Sequence, residues 1–232
     1  MNFQNRHVVV TGGTGALGTA VVGALLAAGA TCHVPYRSQA EADRFPHHAS
    51  ANVKLIGAGD LADENAIAKI FDTVPRLWAS IHLGGFAFGA LTETSPDVIR
   101  QQVDTNLITC LLCCRAALAT MARSGDGGRI VNVAARPALE WRQGKNMVAY
   151  TAAKAGLAGA TAALAEEAVD QGILVNAVAP SIMDTPANRA AMPKADYAKW
   201  PKVEEVAATI LFLASPANKV TRGGVLPVYG RV

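Results

Sequence analysis

Charge is scarce in this chain. Asp, Glu, Lys and Arg make up 17% of its 232 residues, and the formal net charge is only +3. No basic run is present, so the electrostatic stripe of a nucleic-acid-binding surface is missing and no nucleic-acid partner is expected. Cysteine is sparse as well. Cys32, Cys110, Cys113 and Cys114 lay out no disulfide framework, so a reducing, cytoplasmic setting is expected. No apolar stretch comes near the roughly 18–20 residues of a membrane span, so no membrane partner is expected. The residues from Met1 to Arg6 lead into an apolar run too short for a signal peptide. What the chain does have is aliphatic bulk: 51% of it is hydrophobic. That excludes a disordered chain and implies a large buried core. There is no internal repeat or linker, and one domain over residues 1–232 accounts for the length.

Short apolar runs alternate with longer alanine-rich ones. Strands are expected at residues 7–10, 31–36, 53–56, 81–83, 129–133, 173–178 and 225–228. Helices are expected at 16–28, 40–45, 63–74, 96–121, 148–171 and 204–213. Strands that are apolar throughout, each followed by a helix, read as a parallel sheet covered on both faces. The expected fold class is therefore α/β: a single doubly wound domain with right-handed crossovers.

Thr11-Gly12-Gly13-Thr14-Gly15-Ala16-Leu17-Gly18 joins the first strand to the first helix. Gly12, Gly15 and Gly18 keep a G-x-x-G-x-x-G spacing. A tight turn needs positive φ, a pyrophosphate needs close backbone approach, and helix N-terminal amides favour negative charge. Thr14 and Leu17 belong to the same turn and are counted with it as cofactor-binding candidates. The end of the second strand discriminates between dinucleotides: an acid there holds a ribose 2′-hydroxyl, an arginine a 2′-phosphate. Here the strand ends in Tyr36-Arg37-Ser38. Arg37 and Ser38 point to NADP(H) over NAD(H).

Tyr150 and Lys154 stand at i and i+4 at the start of a long helix, on one face. An ammonium beside a phenol favours the phenolate, and a phenol so tuned can pass a proton near neutral pH.

In this order and context, these motifs resemble the short-chain dehydrogenase/reductase family over nearly the full chain. Further matching segments are Gly57-Ala58-Gly59-Asp60-Leu61, Val103-Asp104-Thr105-Asn106, Ile130-Val131-Asn132-Val133, and Val175-Asn176-Ala177-Val178-Ala179-Pro180 leading to Thr185. The resemblance implies a Rossmann-like fold with about seven parallel strands. It implies Tyr150 as general acid/base, Lys154 as its partner and ribose ligand, and Asn106 as anchor of a water in the proton relay. Asp60 and Leu61 match the adenine-contacting pair. Gly84 and Gly85 follow the fourth strand on the cofactor side. Pro180, Ile182 and Thr185 match the segment that meets the nicotinamide amide and the diphosphate. A homodimer or homotetramer built through residues 106–121 and 150–170 is also implied.

Three departures stand out. Ala16 replaces a glycine of the usual turn. His82-Leu83-Gly84-Gly85 replaces the usual Asn-Asn-Ala-Gly. The serine expected after the fifth strand falls on Ala135, which has no hydroxyl to offer a substrate carbonyl. Gly84-Gly85-Phe86 without that serine, but with Tyr-x-x-x-Lys, is similar to the quinonoid dihydropteridine reductases, whose acceptor is an electron-poor conjugated ring. The activity expected is hydride transfer between NAD(P)H and a small carbonyl or a quinonoid or imine-like compound. The alternative is a non-catalytic NADP(H)-binding redox sensor, which would have no use for Tyr150 and Lys154.

Phe86, Trp141, Met183 and Trp200 fall in loops at the strands' C-terminal ends and are candidate substrate contacts. Cys110-Leu111-Leu112-Cys113-Cys114 is read as helix packing, because C-x-x-C lacks a second pair of ligands; no metal is expected.

Overall fold

The computed structural model describes residues 1–232. Val8, Val9 and Val10 are wholly buried in β1 (His7–Thr11), which could only happen if both its faces are covered. The other strands are β2 (Thr31–Tyr36), β3 (Val53–Gly57), β4 (Leu77–His82), β5 (Gly128–Val133), β6 (Ile173–Pro180) and β7 (Val225–Val228). They form one sheet in the order β3-β2-β1-β4-β5-β6-β7, parallel throughout. The helices are α1 (Ala16–Ala27), α2 (Gln39–Asp43), α3 (Glu64–Asp72), α4 (Pro96–Val103), α5 (Thr109–Ser124), α6 (Arg136–Leu139), α7 (Val148–Glu167), α8 (Pro186–Ala191) and α9 (Val203–Ala214).

Two apolar layers sandwich the sheet. Val21, Val22 and Leu25 of α1 meet Ile210 and Leu213 of α9 on one face. Ile67, Ile70 and Phe71 of α3 meet Cys113, Ala117 and Met121 of α5 and Leu157 of α7 on the other. This is the α/β, doubly wound, seven-stranded arrangement expected. The winding reverses between β1 and β4, and the loops leaving those strands part there to open a crevice.

Local chemistry explains most boundaries. Gly29, at φ +90°, ends α1, and the Ala30 N–H closes back on the Leu25 carbonyl at 3.0 Å. Asp63 caps α3 and Ser95 caps α4 through their side chains. Other expectations need correcting. The fourth strand starts at Leu77, not at residue 81: Ser80 and His82 break the apolar run yet are buried, because they hydrogen-bond each other at 2.7 Å. The helix expected over 96–121 is two helices joined by a π turn at Asp104–Ile108. By length and hydropathy the whole run, Pro96–Ser124, would pass for a membrane span, contrary to the sequence expectation. Here it is a core helix packed on α3 and β4. The last helical turn expected in 148–171 is a separate 3₁₀ turn, Val169–Gln171, closed by Gly172 at φ +69°.

His33 on β2 carries a pH-dependent load. It is buried, and its Nε2 lies 3.0 Å from His7 Nδ1 while its own Nδ1 has no partner. Burial, then the neighbouring His7 and Lys54, push its pKa down to about 4. The unfolded chain, with an ordinary histidine near ~6.5, binds more protons between those values. Stability from this site is therefore complete above about pH 6.5 and is lost as pH falls toward 4. Thermal melts across that window should show a falling midpoint, and His33→Leu should flatten the slope. An unchanged slope would remove His33 from the account.

Candidate active site

Three of the four glycines of the turn, Gly12, Gly13 and Gly18, leave no room for a side chain. Gly12 sits at φ +66°, and a Cβ there would come 3.1 Å from Leu83 Cβ. A Cβ on Gly18 would lie 2.2 Å from the Gly12 carbonyl oxygen and 2.5 Å from Gly13 Cα, so α1 packs directly onto its own entry turn. Gly13, not among the spaced glycines singled out in the sequence, is equally constrained: its Cβ would meet Val34 at 2.8 Å. Gly15 is the N-cap of α1 and brings no side chain, which leaves the first amides of the helix free for an anion. Beyond this turn lies a cleft of about 190 Å³. It is lined by Gly12, Thr14 and Gly15 of the turn, by Gly84 and Gly85 after β4, and by Asp60 and Leu61 after β3. Asp60 is held by accepting the Ala62 N–H at 3.0 Å. Leu17 is buried in the core below and shapes the turn from behind.

The far end of the cleft holds a residue that the sequence reading missed. Arg37 lines it, and Ser38 spends its hydroxyl capping α2. Glu41, one helical turn on, brings a carboxylate to the same place. It accepts hydrogen bonds from the Thr14 hydroxyl and, at 2.9 Å, from the Arg37 N–H. Burial works against its charge, but those two bonds and the Arg37 guanidinium hold its pKa below the ordinary value. The acid absent at the end of β2 is thus supplied from α2. Its only sequence signal is an acidic residue four positions after Arg37.

The π turn places Asn106 beside Gly84 and Lys154. Its amide Nδ2 donates to the Gln102 carbonyl at 3.0 Å, and its Oδ1 is buried with no partner. Lys154, 2% exposed, donates to the Val133 carbonyl at 2.6 Å. Gly84 makes room for both, since a Cβ there would stand 2.4 Å from Asn106 Oδ1 and 2.9 Å from Lys154 Nζ. Between them is a void of about 10 Å³, bordered also by Thr11, His82 and Cys110. Burial pushes the Lys154 pKa down to about 8, and burial pushes that of Tyr150 up to about 12. No hydrogen bond joins the two side chains; the Lys154 ammonium lies 5.8 Å from the Tyr150 ring centre. Desolvation, not the lysine, dominates the tyrosine here, so Tyr150 is held as a protonated phenol.

The substrate candidates divide. Phe86 sets its ring edge-on to Tyr150, 5.2 Å between centres, and remains largely exposed. Trp141 is 74% exposed, its indole N–H tied to the Ala138 carbonyl at 3.2 Å. Met183 is half-buried against the α1/α9 layer. Trp200 is buried, with its ring tilted on Tyr197 at 5.0 Å, shortly before α9. Pro180 ends β6, and Ile182 and Thr185 follow it; Thr185 caps α8, and Ile182 is partly exposed. They stand outside the 190 Å³ cleft. Ala135 is buried and extended just before α6, with no hydroxyl in the place noted from the sequence.

Comparison with known proteins accords with this geometry. Residues 6–196 match the short chain dehydrogenase family. A galactitol 2-dehydrogenase of Rhizobium johnstonii is 32% identical, the match covering 97% of this chain and 94% of the relative. A 2,3-dihydroxy-2,3-dihydro-p-cumate dehydrogenase of Pseudomonas putida is 28% identical over 98% and 94%. Among solved structures, ElxO with NADP bound superposes with a TM-score of 0.86 at 26% identity, covering 97% of each chain. With the family match spanning most of its length, and a relative 32% identical over nearly all of it, the chain belongs to the short chain dehydrogenase family and is an oxidoreductase of that type.

Proposed function

We propose that the protein is an NADPH-dependent reductase of a small organic carbonyl or of a quinonoid or imine-like ring, with Tyr150 as the general acid. The observation that carries this reading is the convergence of Tyr150, Lys154 and the unpartnered Asn106 Oδ1 beside a glycine cradle. The cradle fits a dinucleotide: Gly12, Gly15 and Gly18 offer close backbone approach, Thr14 and the α1 amides suit a pyrophosphate, and Asp60 and Leu61 flank the adenine end. Gly84, Gly85, Lys154, Pro180, Ile182 and Thr185 are assigned to its nicotinamide half. When bound, a reduced nicotinamide supplies the hydride.

The remaining chemistry falls to this chain. Tyr150 stays protonated through neutral pH and would give its proton to the substrate oxygen or nitrogen that gains the electron pair when the carbon bonded to or conjugated with it takes up the hydride. Lys154, cationic below about pH 8, favours the phenolate left behind. Asn106 Oδ1 fixes a water that refills the proton, which accounts for a buried acceptor otherwise unsatisfied. Without a hydroxyl at Ala135, a developing oxyanion has one donor fewer, which favours acceptors that need mainly a proton. Phe86 beside Tyr150 suits a flat ring. The unpaired thiols agree with a cytoplasmic setting, and the exposed Ile108 and Leu111 with a homo-oligomer joined through the π turn and α5. Following NADPH oxidation with a panel of ketones and with a quinonoid dihydropterin tests the reading. Turnover of neither class, with NADPH bound, would favour the redox-sensor alternative.

Cofactor preference is set by two opposed groups. Arg37 attracts a 2′-phosphate, whereas the Glu41 carboxylate repels it and accepts from a 2′-hydroxyl. Glu41→Gln should raise the NADPH-over-NADH preference about tenfold, and Arg37→Ala should lower it about as much. Dissociation constants from nucleotide fluorescence measure both; equal constants in all three proteins would refute the assignment.

A further inference from the structure

Directly under the catalytic groups, four ligand-type atoms converge where the proposed reaction has no use for them. His82 ends β4, Asn132 lies on β5, and Cys110 and Cys114 stand one turn apart on α5; all are buried. Cys110 Sγ and Cys114 Sγ lie 3.6 and 3.5 Å from His82 Nδ1. Asn132 Oδ1 lies 2.9 Å from that nitrogen and 3.1 and 3.6 Å from the two sulfurs. The His and Cys ligand atoms all fall within 4.8 Å of one another.

We propose that His82, Cys110, Cys114 and Asn132 form a buried, closed four-ligand site for a thiophilic d¹⁰ cation, zinc being the expected one.

The geometry is that of a tetrahedron. With metal bonds of about 2.3 Å to sulfur and about 2.0–2.1 Å to nitrogen or oxygen, tetrahedral edges from sulfur to nitrogen or oxygen come to about 3.6 Å, and from nitrogen to oxygen to about 3.4 Å. Three of the five measured edges already have that length. The other two, Nδ1 to Oδ1 and Cys110 Sγ to Oδ1, need about half an ångström, which small rotations of two side chains supply.

The ligands are also oriented from outside. Thr161 spends its hydroxyl proton on the Leu157 carbonyl at 2.8 Å, so toward Asn132 it can only accept. It takes the Asn132 Nδ2–H at 3.0 Å, which turns Oδ1 toward the sulfurs. Ser80 Oγ stands 2.7 Å from His82 Nε2 and can accept its proton, leaving Nδ1 bare on the cluster side. In that tautomer two acceptors face each other at 2.9 Å, and a cation between them removes the conflict. Charge balances as well. One divalent ion displaces the two thiol protons, which leave to solvent, and the core stays neutral before and after. Cys113, on the same helix and equally buried, takes no part in the cluster.

The test uses the tag-free, reduced full chain stripped of metal. Titration with zinc chloride should take up one ion per chain and release two protons per ion. It should raise the melting midpoint by several degrees and shield two thiols from a thiol reagent. Cobalt in its place should give the intense visible bands of tetrahedral cobalt with thiolate charge transfer. Cys114→Ser and His82→Asn should abolish stoichiometric uptake, while Cys113→Ser keeps it. No uptake by the folded wild-type chain would overturn the proposal and show that the network closes by protons alone. Uptake undiminished in folded Cys114→Ser, or an octahedral cobalt spectrum, would also overturn it. None of these readouts depends on turnover, so the reductase reading stands or falls separately.

Discussion

Tyr150→Phe is expected to lower kcat by about 10²–10⁴-fold, the usual contribution of a positioned general acid. The substitution removes one oxygen and keeps the ring that packs edge-on against Phe86 at 5.2 Å. The fold and the NADPH dissociation constant should therefore hold within about threefold. The size of the loss follows from the site's shortage of donors. Ala135 offers no hydroxyl, and Lys154 is committed to the Val133 carbonyl and to the cofactor side, so no other side chain stands ready to protonate the product. Stopped-flow single turnover with saturating NADPH separates chemistry from binding. A variant that keeps more than about a tenth of the wild-type rate would place the proton donor in solvent and remove Tyr150 from its role.

Gly18→Ala is expected to weaken NADPH binding by more than about 100-fold and to destabilise the chain by roughly 1–3 kcal/mol. The added methyl would lie 2.2 Å from the Gly12 carbonyl oxygen and 2.5 Å from Gly13 Cα, both backbone, and backbone cannot rotate away. Relief requires α1 to lift from the turn, which moves its free N-terminal amides out of the phosphate position. Gly15→Ala is the control. Its Cβ would meet nothing closer than 3.4 Å and its φ of −74° suits any residue, so its melting midpoint should be close to wild type. Melting and nucleotide fluorescence measure the two effects independently. Equal midpoints and equal affinities for Gly18→Ala and wild type would mean that the turn is looser than the structure shows.

The sequence makes the frame legible because burial on both faces leaves a simple mark: Val8 to Val10 or Ile173 to Val175 are apolar without alternation, and a covered parallel sheet tolerates that. The glycine turn and the Tyr150–Lys154 pair are legible for a similar reason, each being local and spaced by one geometry. What escaped is non-local. Glu41 reaches Thr14 across 27 residues, and nothing in either segment announces the other. His82 meets Cys110 and Cys114 only once β4 and α5 are stacked. The burial of Trp200 is likewise invisible, because exposure cannot be read from a loop's polarity alone. The start of β4 was obscured by Ser80 and His82, two polar residues whose burial is made acceptable by bonding to each other.

The π turn at Asp104–Ile108 inserts, in effect, one surplus residue into a continuous helix. A straight α-helix advances about 100° per residue, so that insertion sets the phase of everything downstream. Removing one residue from the turn would let the two helices fuse and would rotate α5 by about 100° about its axis. Cys110, Cys113, Ala117 and Met121 would swing off the sheet, and Leu111 and Arg115 would swing toward it. The bulge that brings Asn106 beside Gly84 and Lys154 therefore also clocks the whole of α5. The Asn106 amide and the core beneath the sheet are bound to a single count of residues, and neither can drift in length without carrying the other along.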